Sequence, residues 1–282
     1  MQAEFNQSGS SELHVSIRPS NHWSWQELRA MWAYRELLLF LTWRDIRVKY
    51  RQTAVGLLWV ILQPVATMLI FSLFFGRLVG VESEGLPYPL FAFSGIVPWL
   101  FFSNSVNSSS NSLVGNSNLI TKVYFPRMII PGAAVLAGMV DFLIALLVVA
   151  LMMAWFGTHL SMQILFLPIL LTLTGLLTFG VGLWMAALNV RYRDVRHALP
   201  FLLQLLMFAT PIIYPTSLVP SPWVRLISLN PLTGLIDGYR AVLFGRPFNW
   251  GGMLFSSVLT IVVLVLAAWY FRRTEDFFAD IV

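Results

Sequence analysis

Cations set among aromatic and aliphatic residues are the side chains best fitted to chemistry here, and the chemistry they fit is binding of phosphates and acids. The first group is Leu39-Phe40-Leu41-Thr42-Trp43-Arg44-Asp45-Ile46-Arg47-Val48-Lys49-Tyr50-Arg51. Counted at about 100° per residue, Leu39, Trp43, Ile46 and Tyr50 fall within about 60° of one another, while Arg44, Arg47 and Arg51 share a neighbouring arc. One face favours lipid and the next favours anions, the pattern of a helix lying in a membrane surface. Two compact basic and aromatic turns follow, from Lys122 through Tyr124 and Pro126 to Arg127, and from Arg191 through Arg193 to Arg196. Both suit the docking of a partner.

Nothing accompanies these cations that would make or break bonds. The 282 residues contain no cysteine, which removes thiolate nucleophiles, disulfides and Cys-based metal sites. His14, His22, His159 and His197 lie too far apart to indicate a metal cluster. Lys49 and Lys122 are the only lysines and neither follows a glycine, so the Walker A loop that would hold ATP is absent. There is no Gly-x-Ser-x-Gly elbow and no His-Glu-x-x-His helix. Asp45, Asp194 and Asp237 are scattered, two of them among arginines. The expectation is a conduit with no catalytic or metal site, no cofactor of its own and no nucleic-acid partner.

The elements that must carry these residues are membrane helices. The chain is 57% hydrophobic and 11% charged, with a mean hydropathy of +0.73, whereas soluble domains carry about 25% charged residues. We expect an all-α membrane protein. A cytoplasmic tail over residues 1–36 precedes an amphipathic interface helix over 37–54, and a transmembrane domain over 55–271 ends in a short tail, 272–282. Residues 1–30 are too polar to hold a signal-peptide core, so the N-terminus is expected in the cytoplasm.

Six spans are predicted, at about 55–78, 88–106, 128–156, 164–190, 198–214 and 251–271, each near the length that a ~30 Å hydrocarbon core requires. In the first, Trp59, Gln63, Thr67, Ile70 and Phe74 form one stripe that should look inward, and Pro64 removes a backbone donor. In the fifth, Phe201, Gln204 and Phe208 share a face and Pro211 breaks the helix. Between residues 103 and 118, twelve of sixteen positions are Ser or Asn, either a helix end in a wet, protein-lined space or a polar loop. Asp141 lies mid-span, where a carboxylate costs about 3 kcal/mol. It must face protein or water, and a hydrogen bond to a neighbouring helix is favoured over proton carriage. Gly175, Gly180, Gly182 and Ala186 give close-packing faces.

Residues 218–244 are too broken by proline to span and too apolar to float. They are predicted to form two re-entrant helices, the second capped by Asn230, started by Pro231 and closed by Gly245. With both termini inside, 14 of the 18 Lys and Arg residues fall on the cytoplasmic side, as the positive-inside rule requires.

Four motifs resemble a known family. They are Tyr50-Arg51-Gln52-Thr53-Ala54-Val55-Gly56-Leu57-Leu58-Trp59 with Gln63-Pro64, then Ile120-Thr121-Lys122-Val123-Tyr124-Phe125-Pro126-Arg127 with Pro131, then Tyr192-Arg193-Asp194-Val195, and Asn230-Pro231-Leu232-Thr233 with Tyr239-Arg240. Together they resemble the permease subunit of type-2 ABC exporters, in the branch that exports O-antigen, capsular and teichoic acid polysaccharides. An exporter of a small lipid or drug shares this architecture and is the alternative.

The resemblance implies a homodimer in the inner membrane of a bacterium, with two copies of a cytoplasmic ATPase that binds ATP and Mg, moving a lipid-linked polysaccharide outward. It implies ATPase coupling by Arg44, Arg47 and Arg51, by the turn containing Asn116, Lys122, Tyr124, Pro126 and Arg127, and by Arg191, Arg193 and Arg196. Asn230, Pro231, Tyr239 and Arg240 would belong to outer gate helices. Trp59, Gln63, Thr67, Phe74, Phe201, Gln204 and Phe208 are expected to line the translocation path.

Overall fold

The computed structural model describes residues 33–51, 56, 58–158, 161–275 and 278, so the tail expected before residue 33, motif residues 52–55 and 57, and the last residues of the chain lie outside it. Every regular element among the described residues is helical. In order they are α1 (Arg35–Arg51), α2 (Leu58–Phe71, continued by a π-helical segment Ser72–Leu78), α3 (Tyr88–Gly115), α4 (Ser117–Lys122) and α5 (Ile129–Trp155). A 3-10 turn, Met162–Phe166, leads into α6 (Leu167–Arg191), followed by α7 (Val195–Ala209), α8 (Ser221–Ser228), α9 (Pro231–Phe244) and α10 (Trp250–Glu275).

Among the described residues five helices are long and apolar enough to cross a membrane: Leu58–Leu78, Tyr88–Gly115, Ile129–Trp155, Met162–Arg191 and Trp250–Glu275. The segment expected as the fifth span is instead α7, 15 residues long, which rises about 22 Å, short of a ~30 Å core. Pro211 accounts for the stop. It offers no backbone N–H and drives the residue before it out of the helical region, and Thr210 is accordingly extended at φ −103°, ψ 138°.

The Ser/Asn-rich stretch is not a loop. It continues α3 to Gly115, and its half-buried amides and hydroxyls bond back to their own helix. The Asn111 amide donates to Asn107 O at 2.8 Å, Ser112 Oγ to Ser109 O at 2.7 Å and the Asn116 amide to Ser112 O at 2.8 Å. The buried hydroxyls of Ser105 and Ser109 have no partner among the described residues, and α3 forms the centre of the bundle, packed against α2, α5, α6, α7 and α9. Small residues let its neighbours approach: Gly138 of α5 rests on Ser105 and Gly182 of α6 rests on Ser109.

Two apolar clusters result. The larger fills the bundle between α3, α5, α6 and α9. The smaller joins Leu41, Leu113, Ile120, Phe125, Val190 and Phe271, and so gathers α1, the 116–127 turn and the ends of α3, α6 and α10 at one basic end of the molecule. At the other end Arg246 pairs with Glu84, which also accepts from Ser217 at 3.1 Å.

Candidate functional site

The helix α1 is divided into three sectors rather than two. Leu39, Phe40 and Trp43 are exposed, as a lipid-facing sector requires, and Arg47 and Arg51 are exposed beside them. The third sector carries Leu38, Leu41, Thr42, Asp45 and Lys49 and meets α5. Leu38 lies by Gly132 near the start of α5, and Lys49 and Tyr50 reach Asp141 nine residues further on. The helix therefore runs alongside α5 instead of lying across its end.

Asp141 receives two donors, the Lys49 ammonium and the Tyr50 hydroxyl. Burial, then the hydrogen bond to Asp141 and its negative charge, push the Tyr50 phenol above its ordinary value, which keeps it a donor at neutral pH. Neighbouring Asp45 is taken by Arg44, with Nη2 to Oδ1 at 2.8 Å. Asp45, Lys49, Tyr50 and Asp141 line a cleft of about 440 Å³ between α1, α2, α3 and α5. Trp59 and Gln63 line it from α2, Phe101, Asn104, Ser105 and Ser108 from α3, and Gly138 and Phe142 from α5. Acceptors, donors and ring faces thus share one cleft.

Of the residues expected on a path, only Trp59 and Gln63 share this cleft. Thr67 and Phe74 lie further along α2, and Phe201, Gln204 and Phe208 lie on α7; Phe74, Phe201, Gln204 and Phe208 are exposed and Thr67 half-buried. The described residues leave both faces largely uncovered.

Of the residues expected to couple to an ATPase, those of the 116–127 turn and of 191–196 stand at the basic end, while Arg47 and Arg51 lie toward the Asp141 end of α1. Asn116 is the C-cap of α3. Lys122 and Tyr124 of the 116–127 turn are exposed. Pro126 and Arg127 are half-buried, and the Arg127 backbone N–H donates to Glu275 Oε1 at 3.1 Å while its guanidinium donates to Glu275 O. Arg191, stacked over Tyr192 at 5.3 Å, and Arg193 and Arg196 are exposed. Arg47 stacks over Trp43 at 5.8 Å.

Asn230 and Pro231 begin α9 as expected. Asn230 Oδ1 accepts from Leu232 N at 3.1 Å and its amide donates to Thr210 Oγ1 at 2.8 Å, while Gly245 closes the helix in the left-handed region at φ 66°. Tyr239 and Arg240 are buried. The Tyr239 hydroxyl lies 3.0 Å from Thr174 Oγ1, and Arg240 donates to Pro211 O at 2.9 Å and Ile212 O at 2.7 Å with its guanidinium 3.8 Å over the Phe91 ring. Tyr88 donates to Ile213 O at 2.7 Å. Three carbonyls released where α7 breaks are thereby satisfied by side chains. Sequence reading missed Tyr88, Thr174 and Glu275; only Asp141, a charge inside an apolar run, signalled an absent partner.

The family model described as "ABC-2 type transporter" matches residues 36–244. Over 257 residues the chain is 29% identical to the O-antigen export system permease protein RfbA of Myxococcus xanthus, covering 90% of this chain and 98% of the relative. It is 26% identical to the protein of the same description from Klebsiella pneumoniae, covering 87% and 95%. The polysialic acid transport protein KpsM of Escherichia coli is also 26% identical, covering 84% and 92%.

Proposed function

Since the chain belongs to the ABC-2 type transporter family, we propose that it is the permease of an exporter that carries a polyprenyl-linked, O-antigen-like polysaccharide across the inner membrane of a bacterium. The observation that carries this reading is similarity along nearly the whole length of O-antigen export permeases. The chain acts as a homodimer, and a separate ATPase in two copies supplies the ATP and Mg chemistry, in keeping with a sequence that lacks a Walker A loop.

In this reading both termini are cytoplasmic and the basic end faces the ATPase, which is the orientation the positive-inside rule favours. The sixth crossing is made by α7 together with residues 210–215. α8 and α9 are the outer gate helices, with Arg240 and Tyr239 holding the gate to α3 and α6. Arg44, Arg47 and Arg51, the 116–127 turn and residues 191–196 couple to the ATPase. The cleft containing Trp59 and Gln63 and the exposed faces of α2 and α7 form the path, where amides bond sugar hydroxyls and rings cover the apolar sides of the sugars.

The test is deletion of the gene followed by extraction of lipid-linked glycan. Intracellular accumulation of polymer with loss of surface glycan is expected. A normal glycan coat would overturn this reading in favour of export of a small lipid or drug.

A further inference from the structure

At the basic end, where α6 and α10 finish side by side, lies a second groove of about 540 Å³. Arg191, Arg273, Trp269, Tyr270, Thr274 and Phe278 line it. Among the described residues no carboxylate lines the groove and neither arginine forms a salt bridge. Each guanidinium is parked on an aromatic face, Arg273 over Trp269 at 5.5 Å and Arg191 over Tyr192 at 5.3 Å. A guanidinium held this way keeps its edge N–H groups available for the bidentate grip that suits phosphate. The carboxylate of Glu275, the acid nearest in sequence among the described residues, accepts from the Arg127 backbone N–H.

The groove also has a tail. Along α10, Val258, Val262, Leu266, Trp269 and Arg273 recur at spacings of four, four, three and four, and the first four are exposed apolar residues. They form one stripe that descends from Arg273 into the apolar span, and the tryptophan stands where aromatic residues mark a bilayer surface. A stripe for hydrocarbon with two cations at its head describes an amphiphile with an anionic head. An acidic protein segment would use the arginines and leave the stripe idle.

We propose that this groove binds a lipid whose phosphate head is net anionic, with Arg191 and Arg273 on the phosphate and the chain of the lipid along Val258 to Trp269. The proposal requires only that α6 and α10 cross a membrane, and is independent of what the protein exports.

The test is native mass spectrometry of the purified full-length chain in neutral detergent, titrated separately with phosphatidylglycerol, phosphatidylcholine, a polyprenyl monophosphate and inorganic phosphate. Each arginine near an anionic lipid is a factor of about five in affinity. Arg191→Gln with Arg273→Gln should therefore weaken phosphatidylglycerol binding on the order of 30-fold, and the paired Lys substitutions should retain most of it. Trp269→Leu, which keeps both charges, should weaken lipid binding less. The same series with Asp276→Asn and Asp280→Asn holds the charges of the C-terminal tail constant.

Tighter binding of the polyprenyl monophosphate would assign the groove to a polyprenyl carrier, and tighter phosphatidylglycerol to the surrounding bilayer; either supports the proposal. Equal retention of phosphatidylglycerol by the double Gln variant, equal binding of phosphatidylcholine, or displacement by inorganic phosphate alone would each overturn it. So would a double Gln variant that keeps its lipid but no longer captures an ATPase subunit, which would make the groove a protein contact. None of these results depends on glycan export, so failure here and failure of the export reading are separable.

Discussion

Asp141 on α5 is ion-paired with Lys49 on α1, across 92 residues of sequence. This contact, with the Tyr50 hydroxyl beside it, fixes the end of the basic helix against the first half of a membrane span. Any displacement of α1 is therefore felt in the wall of the cleft that holds Trp59 and Gln63.

The energetics rank the two donors. The Lys49 side chain is 53% exposed against 19% for Asp141, so the ion pair contributes about 0.2–1 kcal/mol, while the shielded hydroxyl–carboxylate bond contributes about 1.5–3 kcal/mol. Asp141→Ala should cost about 2–3 kcal/mol, and adding Tyr50→Phe should cost little more, because both remove the same bond. Additive losses in thermal unfolding would show the two to be uncoupled. Since the folded-state pKa of Tyr50 is raised, its contribution is complete below about pH 10 and is lost as pH rises above that value; Tyr50→Phe should flatten the alkaline loss.

Arg240 is buried, bonds two backbone carbonyls and lies 3.7 Å from Asp237. Arg240→Met leaves Pro211 O and Ile212 O without donors, at about 1–3 kcal/mol each. Arg240→Lys restores only part of this, because an ammonium lacks the planar fork that reaches both carbonyls. Folded yield in the membrane should follow the order wild type, Lys, Met. Equal yields would show that the broken end of α7 needs no such support.

How much of this was legible follows from the range of each force. The helices, the Asn230 cap, the Gly245 stop and the close-packing glycines are local or periodic features, and the sequence displays them directly. The helical state of residues 103–115 was ambiguous because Ser and Asn serve loops and self-bonded helices alike, and only burial between α5 and α6 selects one. The break at Pro211 was legible as well, and α7 ends at Ala209, two residues before it. Lys49 with Asp141, Tyr88 with Ile213 and Arg127 with Glu275 join residues distant in sequence, and no spacing rule reaches so far.

Helix contact at α3 and α6 is set by Gly182. A Cβ there would come within 2.6 Å of Ser109 Oγ and 2.8 Å of Ser109 Cβ, so Gly182→Ala should cost about 1–3 kcal/mol through overpacking. Ser109→Gly removes both clashing atoms and should restore most of the loss, read as the unfolding temperature in detergent. Failure of that rescue would place the strain elsewhere.

Coupling through α1 is testable by charge reversal. Arg44→Glu with Arg47→Glu replaces two cations on a helix whose packing face is formed by other residues, so membrane insertion should persist. Stimulation of the partner ATPase should fall at least tenfold. An unchanged ATPase rate and unchanged export would exclude α1 from the coupling surface.

The dimer prediction rests on which exposed faces lipid can satisfy. Leu143, Leu147 and Leu151 of α5 are exposed and wholly apolar, which hydrocarbon suits. The α2 face carries Gln63 and Thr67 among Trp59 and Phe74, and the α7 face carries Gln204 between Phe201 and Phe208. Amides in contact with acyl chains lose hydrogen bonds that a second copy or a wet path would supply. The chain contains no cysteine, so single cysteines report without background. Phe74→Cys together with Phe208→Cys should give, on mild oxidation in membranes, a covalent species of twice the 31.9 kDa monomer mass. Leu151→Cys at equal expression should stay monomeric. A dimer of equal yield from Leu151→Cys, or none from the α2 and α7 pair, would mean that these faces meet something other than their own copy.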